Sequence, residues 1–183
     1  FMGNITHLQD FFPEEDYFEI LNTVNKVSTE HGYHLSWRLT GQTQKGKPFF
    51  WNCSLSEEDF FANYLLEKIK KNIYNVTGET IIKCARIYLN GATFGQQGYL
   101  HVDSFEYISR TLLIYCNPEW KKEWGGGTLF ACDDGSEKIF FPRPNSGVYF
   151  DSTIFHHSQP SSKDFNGLRV TLAYKLYIEG NDK

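Results

Sequence analysis

The sequence predicts a mainly β fold with flanking helices: a jelly-roll core buttressed by N-terminal helices. Three observations carry the prediction. From Thr80 onward, short strand-like segments alternate with turn signals such as Asn90-Gly91, Asn117-Pro118 and Asp133-Asp134-Gly135. Aromatics are abundant, with 16 Phe, 11 Tyr and 4 Trp, which suits a β-rich core around a ligand cavity. Ahead of Thr80 lie two segments with helical spacing. Strands packed as two antiparallel sheets close their edges and leave a mouth for a site.

The elements follow in order. Pro13, after Phe11-Phe12, suits the first turn of a helix, and Phe18, Ile20, Leu21, Val24 and Val27 keep helical spacing up to Gly32. Two strand-like segments come next, Tyr33 to Leu39 and Phe49 to Leu55, joined by a polar loop from Thr40 to Lys47. Ser56 with Asp59 resembles a capping box and predicts a helix from Glu57 to about Tyr74, its apolar residues including Phe60, Phe61, Tyr64, Leu65 and Ile69. These helices should buttress one sheet. A chain of 183 residues fits one domain, with a helical front at about 8–75 and the core at about 80–178, and buries enough surface to fold without staples.

Composition excludes several classes. A net charge of −4 gives no general attraction to nucleic acid. Lys68-Ile69-Lys70-Lys71 and Lys121-Lys122 read as solvated faces. Cys53, Cys84, Cys116 and Cys132 form no C-x-x-C pair and are expected to be reduced core residues in apolar, strand-like settings. No apolar stretch approaches a membrane span, and no basic-then-apolar leader opens the chain, so the expected compartment is cytoplasmic, without a membrane partner. Met2 reads as the natural start, with Phe1 added ahead of it. No internal repeat or low-complexity segment is visible.

The C-terminal half carries the chemistry. His101 and Asp103 are followed by a histidine at 156 or 157 and by Arg169. Two neutral imidazoles and one carboxylate on one face of an iron leave the opposite face open for a co-substrate and dioxygen. On a strand, His101 and Asp103 would share a face, with Val102 turned away. The third ligand must come from a distant strand that the fold brings back. Arg169 begins an alternating run: Val170, Leu172, Tyr174 and Leu176 make an apolar face, while Arg169, Thr171 and Ala173 make a small or polar face suited to lining a cavity. A lone His-x-Asp usually marks a solvated strand, a lone histidine a satisfied core residue and a lone arginine the surface. The full set, in order and on strand-like segments, is hard to produce by chance.

Together, His101-Val102-Asp103, Gly125-Gly126-Gly127-Thr128-Leu129, Phe155-His156-His157-Ser158-Gln159-Pro160 and Arg169-Val170-Thr171-Leu172 resemble the 2-oxoglutarate- and Fe(II)-dependent oxygenases, specifically the prolyl 4-hydroxylase-like branch. The likeness runs from about Ile82 to Ile178. It implies a double-stranded β-helix, cupin-like, as the core. It implies Fe(II) on His101, Asp103 and His156, because in this branch the ligand tends to precede a proline by four positions, leaving His157 pointing away. It implies 2-oxoglutarate as co-substrate, its C5 carboxylate on Arg169, with Tyr115 hydrogen-bonded beside the arginine, Thr171 touching the same carboxylate and Tyr88 lining the pocket. Ascorbate enters as a candidate cofactor on the same ground.

The reaction so implied consumes dioxygen, releases succinate and CO2, and hydroxylates a substrate. Asp103 argues for hydroxylation, since related halogenases lack that carboxylate. The implied substrate is a prolyl residue in a peptide or protein. The alternatives are a small metabolite, such as a free amino acid or sugar, and a non-catalytic jelly-roll binding module. The intact ligands and Arg169 count against the latter. The Gly41 to Lys47 loop and the Asn117 to Gly125 segment, with Trp120 and Trp124, are candidate lids. Ser161 to Gly167 reads as a longer hairpin turn that leaves Arg169 on its strand.

Overall fold

The computed structural model describes residues 4–29, 35–40 and 50–180. Its strands form two antiparallel sheets. In the larger sheet the order is β1 (Ile5–Leu8), β8 (Gly147–Asp151), β5 (Ser109–Tyr115), β10 (Arg169–Ile178), β4 (Ile81–Ala92), β3 (Phe50–Ser54) and β2 (Arg38–Thr40). The smaller sheet runs β7 (Glu137–Phe140), β6 (Thr128–Ala131), β9 (Phe155–Ser158). This is the jelly roll that the sequence predicts.

β10 sits mid-sheet between β5 and β4, and its alternation explains why. Val170, Leu172, Tyr174 and Leu176 are buried on the outer face, in one core with Ile20 of α1 (Glu14–Thr29) and Ile69 and Ile73 of α2 (Leu66–Thr77). The Tyr174 hydroxyl donates to the Phe61 carbonyl at 2.9 Å, satisfying a polar atom that burial would otherwise penalise. The inner face of β10 is left for the cavity. A second core of Tyr115, Phe130, Val148, Phe150 and Ile154 fills the space between the sheets.

Local chemistry places the helices. Pro13 needs no amide partner, and its carbonyl accepts from Asp16 and Tyr17 at 3.1 Å each, so it opens α1 from one residue outside. Glu14, Glu15 and Asp16 complement the positive end of the helix and Lys26 the negative end. Buried Asp16 pairs with Lys68 Nζ at 2.6 Å and ties α1 to α2. Gly78, at φ 75°, ends α2 in the left-handed conformation and sends an amide back to the Tyr74 carbonyl. Ile69 is fully buried in this core. Ile69→Ala should therefore cost about 2–5 kcal/mol of stability, read as a lower urea midpoint at unchanged slope. A loss below about 1 kcal/mol would mean that α2 is not docked on the sheet.

Several expectations need correction. The capping box at Ser56 and Asp59 does not form. Ser56 Oγ instead donates to the Ile87 carbonyl at 3.2 Å and accepts from the Ile87 amide at 3.0 Å, clamping the chain to β4. The helix starts later, with a π-helical turn at Phe60–Leu65, and extends beyond Tyr74 to Thr77. β1 is an edge strand ahead of α1, at residues to which the sequence reading assigns no element. Cys53 and Cys116 are buried, but Cys84 and Cys132 are only half-buried, and Cys132 opens a turn just past β6. All four are free thiols. Most of the expected Tyr33 to Leu39 segment forms no strand among its described residues, and the Gly41 to Lys47 lid candidate lies outside the described residues.

Candidate active site

His101 and His156 are brought together by their own backbones. The His101 amide donates to the His156 carbonyl at 3.0 Å, and the His156 amide returns the bond at 2.9 Å. A directly opposed antiparallel pair projects both side chains to one face, and the two rings sit 4.5 Å apart between centroids. His101 is not on a regular strand, as the i, i+2 spacing suggests. It lies on a loop held to β9 by this isolated bridge and by the Gly98 amide, which donates to Ser158. Asp103, two residues on, is fixed by its amide donating to the Ser152 carbonyl at 2.9 Å.

The ligand atoms of His101, Asp103 and His156 lie within 4.8 Å of one another. Each histidine is oriented through Nδ1, which donates to a carbonyl: His101 to Tyr99 at 2.7 Å, His156 to Ile154 at 2.9 Å. Both Nε2 atoms therefore face Asp103, each 3.5 Å from one of its carboxylate oxygens. Fixing one ring nitrogen on a carbonyl while the other faces a carboxylate is how a protein presets imidazoles for a metal. Burial pushes His156 down to about 4, so it is neutral and its lone pair free near neutral pH. Burial would raise the Asp103 carboxyl, but the His101 hydrogen bond and the Lys175 ammonium outweigh it and hold the group well below the usual carboxylate range. One hard oxygen and two imidazole nitrogens fit a divalent iron.

Lys175 is the residue that sequence reasoning missed. It continues the inward series of Arg169, Thr171 and Ala173, and its ammonium pairs with Asp103 Oδ2. Thr111 Oγ1 donates to the same oxygen at 2.7 Å and lies 3.0 Å from Ser152 Oγ. The period-two alternation alone could have found Lys175.

A cavity of about 450 Å³ leads from these residues to Arg169, passing Thr171, Ala173 and Tyr88. Arg169 is buried at 4% exposure. Its Nε donates to the Gly126 carbonyl at 2.6 Å and its Nη2 to Thr128 Oγ1 at 3.1 Å. No carboxylate among the described residues pairs with it, and burial pushes its pKa down. A buried guanidinium with only neutral partners is costly unless an anion arrives. The glycine run makes this packing feasible. Gly126 has φ +68°, and a Cβ there would come within 2.9 Å of the Trp120 ring and 3.2 Å of Arg169 Cδ.

The remaining candidates fall in different places. Thr171 and Tyr88 line the cavity. Tyr115 is fully buried behind Arg169, whose guanidinium carbon lies 5.6 Å from the phenol ring centroid. Its hydroxyl is 2.9 Å from both Thr128 Oγ1 and the Phe140 carbonyl. A carbonyl cannot donate, so the phenol proton goes to Phe140. Tyr115 thus supports Thr128, and through it Arg169. Trp120 and Trp124 pack on each other and on Phe165, with Trp120 Nε1 donating to the Gly125 carbonyl at 3.1 Å. They wall in the glycine run and do not line the cavity. Ser161 to Gly167 supplies Phe165 to that cluster, and Arg169 keeps its place on β10.

His157 pairs with Leu129 across β6, and its Nδ1 meets the Ser158 carbonyl at 3.1 Å, outside the cavity. His156→Ala should eliminate iron-dependent 2-oxoglutarate turnover, and His157→Ala should retain most of it. The reverse result would place the β9 register one residue off, which exchanges the two faces.

The sequence model of the 2OG-Fe(II) oxygenase superfamily matches residues 85–176. Solved structures share the fold at low identity. A prolyl hydroxylase from Trichoplax adhaerens, in complex with a hypoxia inducible factor oxygen degradation domain peptide fragment, superposes with a TM-score of 0.73 at 14% identity, covering 94% of this chain and 83% of that one. A Pseudomonas putida prolyl-4-hydroxylase gives 0.69 at 14% identity, covering 97% and 94%. HygX from Streptomyces hygroscopicus, with nickel, 2-oxoglutarate and hygromycin B bound, gives 0.67 at 10% identity, covering 96% and 83%. No curated protein matches the chain in sequence.

Proposed function

This chain belongs to the 2OG-Fe(II) oxygenase superfamily, and from that premise we propose that it hydroxylates a prolyl residue in a peptide or protein. The observation that carries the oxygenase chemistry is the pairing of two ends in one cavity. A buried guanidinium without a carboxylate partner among the described residues, Arg169, stands at one end, and a His-Asp-His set stands at the other.

His101, Asp103 and His156 would hold Fe(II), and Arg169 would receive the far carboxylate of 2-oxoglutarate. When bound, iron and 2-oxoglutarate supply the oxidising chemistry, with release of succinate and CO2. The protein contributes orientation and exclusion of water. The Arg169 fork pairs bidentately with a carboxylate and stays charged at working pH. Thr171 offers a hydroxyl beside it, and Leu113 and Phe150 keep the inner wall dry. Lys175 and Thr111 pin one carboxylate oxygen of Asp103 and so limit how the group can turn. The third, carboxylate ligand supports hydroxylation over halogenation.

Two observations support a prolyl peptide. Two of the structural neighbours are prolyl hydroxylases. The loop bearing His101 and Asp103 also exposes Tyr99, Phe105 and Tyr107, whose rings could stack on proline, and Tyr99 lines the cavity. A small metabolite is the second reading, favoured by the hygromycin-bound neighbour. Ascorbate dependence and a cytoplasmic location are part of the same proposal. The test is succinate release from 2-oxoglutarate against proline-containing peptides and, separately, free amino acids and sugars. Stimulation by peptides with a mass gain of one oxygen is the expected result. Stimulation by metabolites alone overturns the prolyl assignment, and no succinate from any mixture overturns the enzyme.

A further inference from the structure

Given that reading of the site, on which this rests, we propose that the substrate carries an oxyanion, a carboxylate or a phosphate, received by Arg86 and Lys175 on the wall of the cavity. The two residues are direct partners across β4 and β10, and both line the cavity. Like charges directly opposite each other on a ladder repel. Nothing in the outer core requires them there, since both belong to the inward face.

Arg86 is held ready. Its guanidinium carbon lies 4.4 Å over the Tyr88 ring, and its Nη2 donates to Asn52 Oδ1 at 3.4 Å. Asn52 is itself oriented by donating Nδ2 to Asn90 Oδ1 at 2.9 Å. Stacking fixes the plane of the fork, and its remaining edge faces solvent at an exposed position, open to an incoming ligand. Among the described residues Arg86 has no carboxylate partner. Lys175 has one, Asp103, which is also a metal ligand in the proposed function.

Charge balance leads to the same class. Among the described residues the cavity lining holds Arg86, Arg169 and Lys175 against one acid, Asp103. A divalent metal and a doubly charged co-substrate cancel each other and leave this positive excess in place. The co-substrate answers Arg169 at the inner end. An anionic group on the substrate answers the pair on the β4–β10 wall, and a neutral substrate leaves Arg86 without a counter-charge among the described residues. An acidic side chain or chain terminus of a peptide, a free acid and a phosphorylated compound all supply this chemistry.

The test uses full-length protein loaded with Mn(II) and saturated with 2-oxoglutarate, which is inert. Inorganic phosphate and isotopically labelled acetate are titrated separately, and the paramagnetic relaxation of each anion is read by NMR. Saturable enhancement is expected in the wild type. Arg86→Met keeps the stem over Tyr88 and removes the charge, and should weaken anion binding roughly tenfold to a hundredfold. Arg86→Lys should recover part of it. A stronger phosphate response indicates a phosphorylated substrate and a stronger acetate response a carboxylate. Equal enhancement in wild type and Arg86→Met, or none in either, overturns the inference. The 2-oxoglutarate titration is run on the same samples. Absence of anion binding in the wild type, with 2-oxoglutarate binding intact, removes the substrate assignment. Failure of 2-oxoglutarate to bind while anions still depend on Arg86 removes the oxygenase reading instead.

Discussion

Asp103→Ala should yield a folded protein that no longer binds Fe(II) and has no turnover. The carboxylate is the anionic member of the three proposed ligands, and its oxygens face both His101 and His156 at 3.5 Å. Removing a group that merely supports a ligand costs roughly 10- to 100-fold in metal affinity, and removing the charged ligand itself should exceed that. The variant also leaves the Lys175 ammonium and the Thr111 hydroxyl without their shared acceptor. Some stability is therefore lost, on the order of 1–3 kcal/mol. His101→Ala is the cleaner companion. Its ring goes, but the two backbone hydrogen bonds to His156 remain, so the loop keeps its seat on β9. Anaerobic calorimetric titration of Fe(II), with a thermal melt of each variant, separates the two effects. Wild-type affinity in both would dissolve the metal site.

Where one face of a strand packs on helices and the other on a cavity, the sequence is readable. β10 shows this from Arg169 to Leu176, because burial of Val170, Leu172, Tyr174 and Leu176 forces the alternate residues inward. The same logic extends to Lys175. The pairing of His101 with His156 is less legible, since it depends on a backbone bridge between distant segments, with no local pattern to mark it. The motif order located the residues without revealing the loop that carries them. Ser56 shows a competition that local rules miss: a hydroxyl suited to capping a helix found a better-placed backbone pair at Ile87. Tyr115 shows another limit. A strand pattern gives the face on which a side chain stands, but not whether a long side chain reaches into the cavity or passes behind a neighbour. β1, only four residues long and held at the sheet edge by β8, carries too little pattern to be seen.

Arg169→Ala should remove the proposed anchor of the co-substrate while sparing the metal. The guanidinium is buried and faces no carboxylate among the described residues, so a bound carboxylate would be its principal counter-charge. Losing a charge-assisted, bidentate contact in a largely dry pocket costs on the order of 2–5 kcal/mol, roughly 30- to several-thousand-fold in 2-oxoglutarate affinity. Arg169→Lys should recover part of this, because an ammonium restores charge without the planar fork. It cannot reproduce both the Nε bond to the Gly126 carbonyl and the Nη2 bond to Thr128, so recovery stays incomplete. Tyr115→Phe should cost less, roughly 1 kcal/mol, since it removes a hydroxyl that supports Thr128 from behind. The order Ala, then Lys, then Phe, from weakest to strongest binding, is the signature of a carboxylate held by Arg169 and only steadied by its neighbours. Anaerobic titration of 2-oxoglutarate measures it, with Fe(II) loading checked in each variant. Wild-type 2-oxoglutarate affinity in Arg169→Ala would place the co-substrate elsewhere in the cavity and leave Arg169 a structural residue that braces the glycine run.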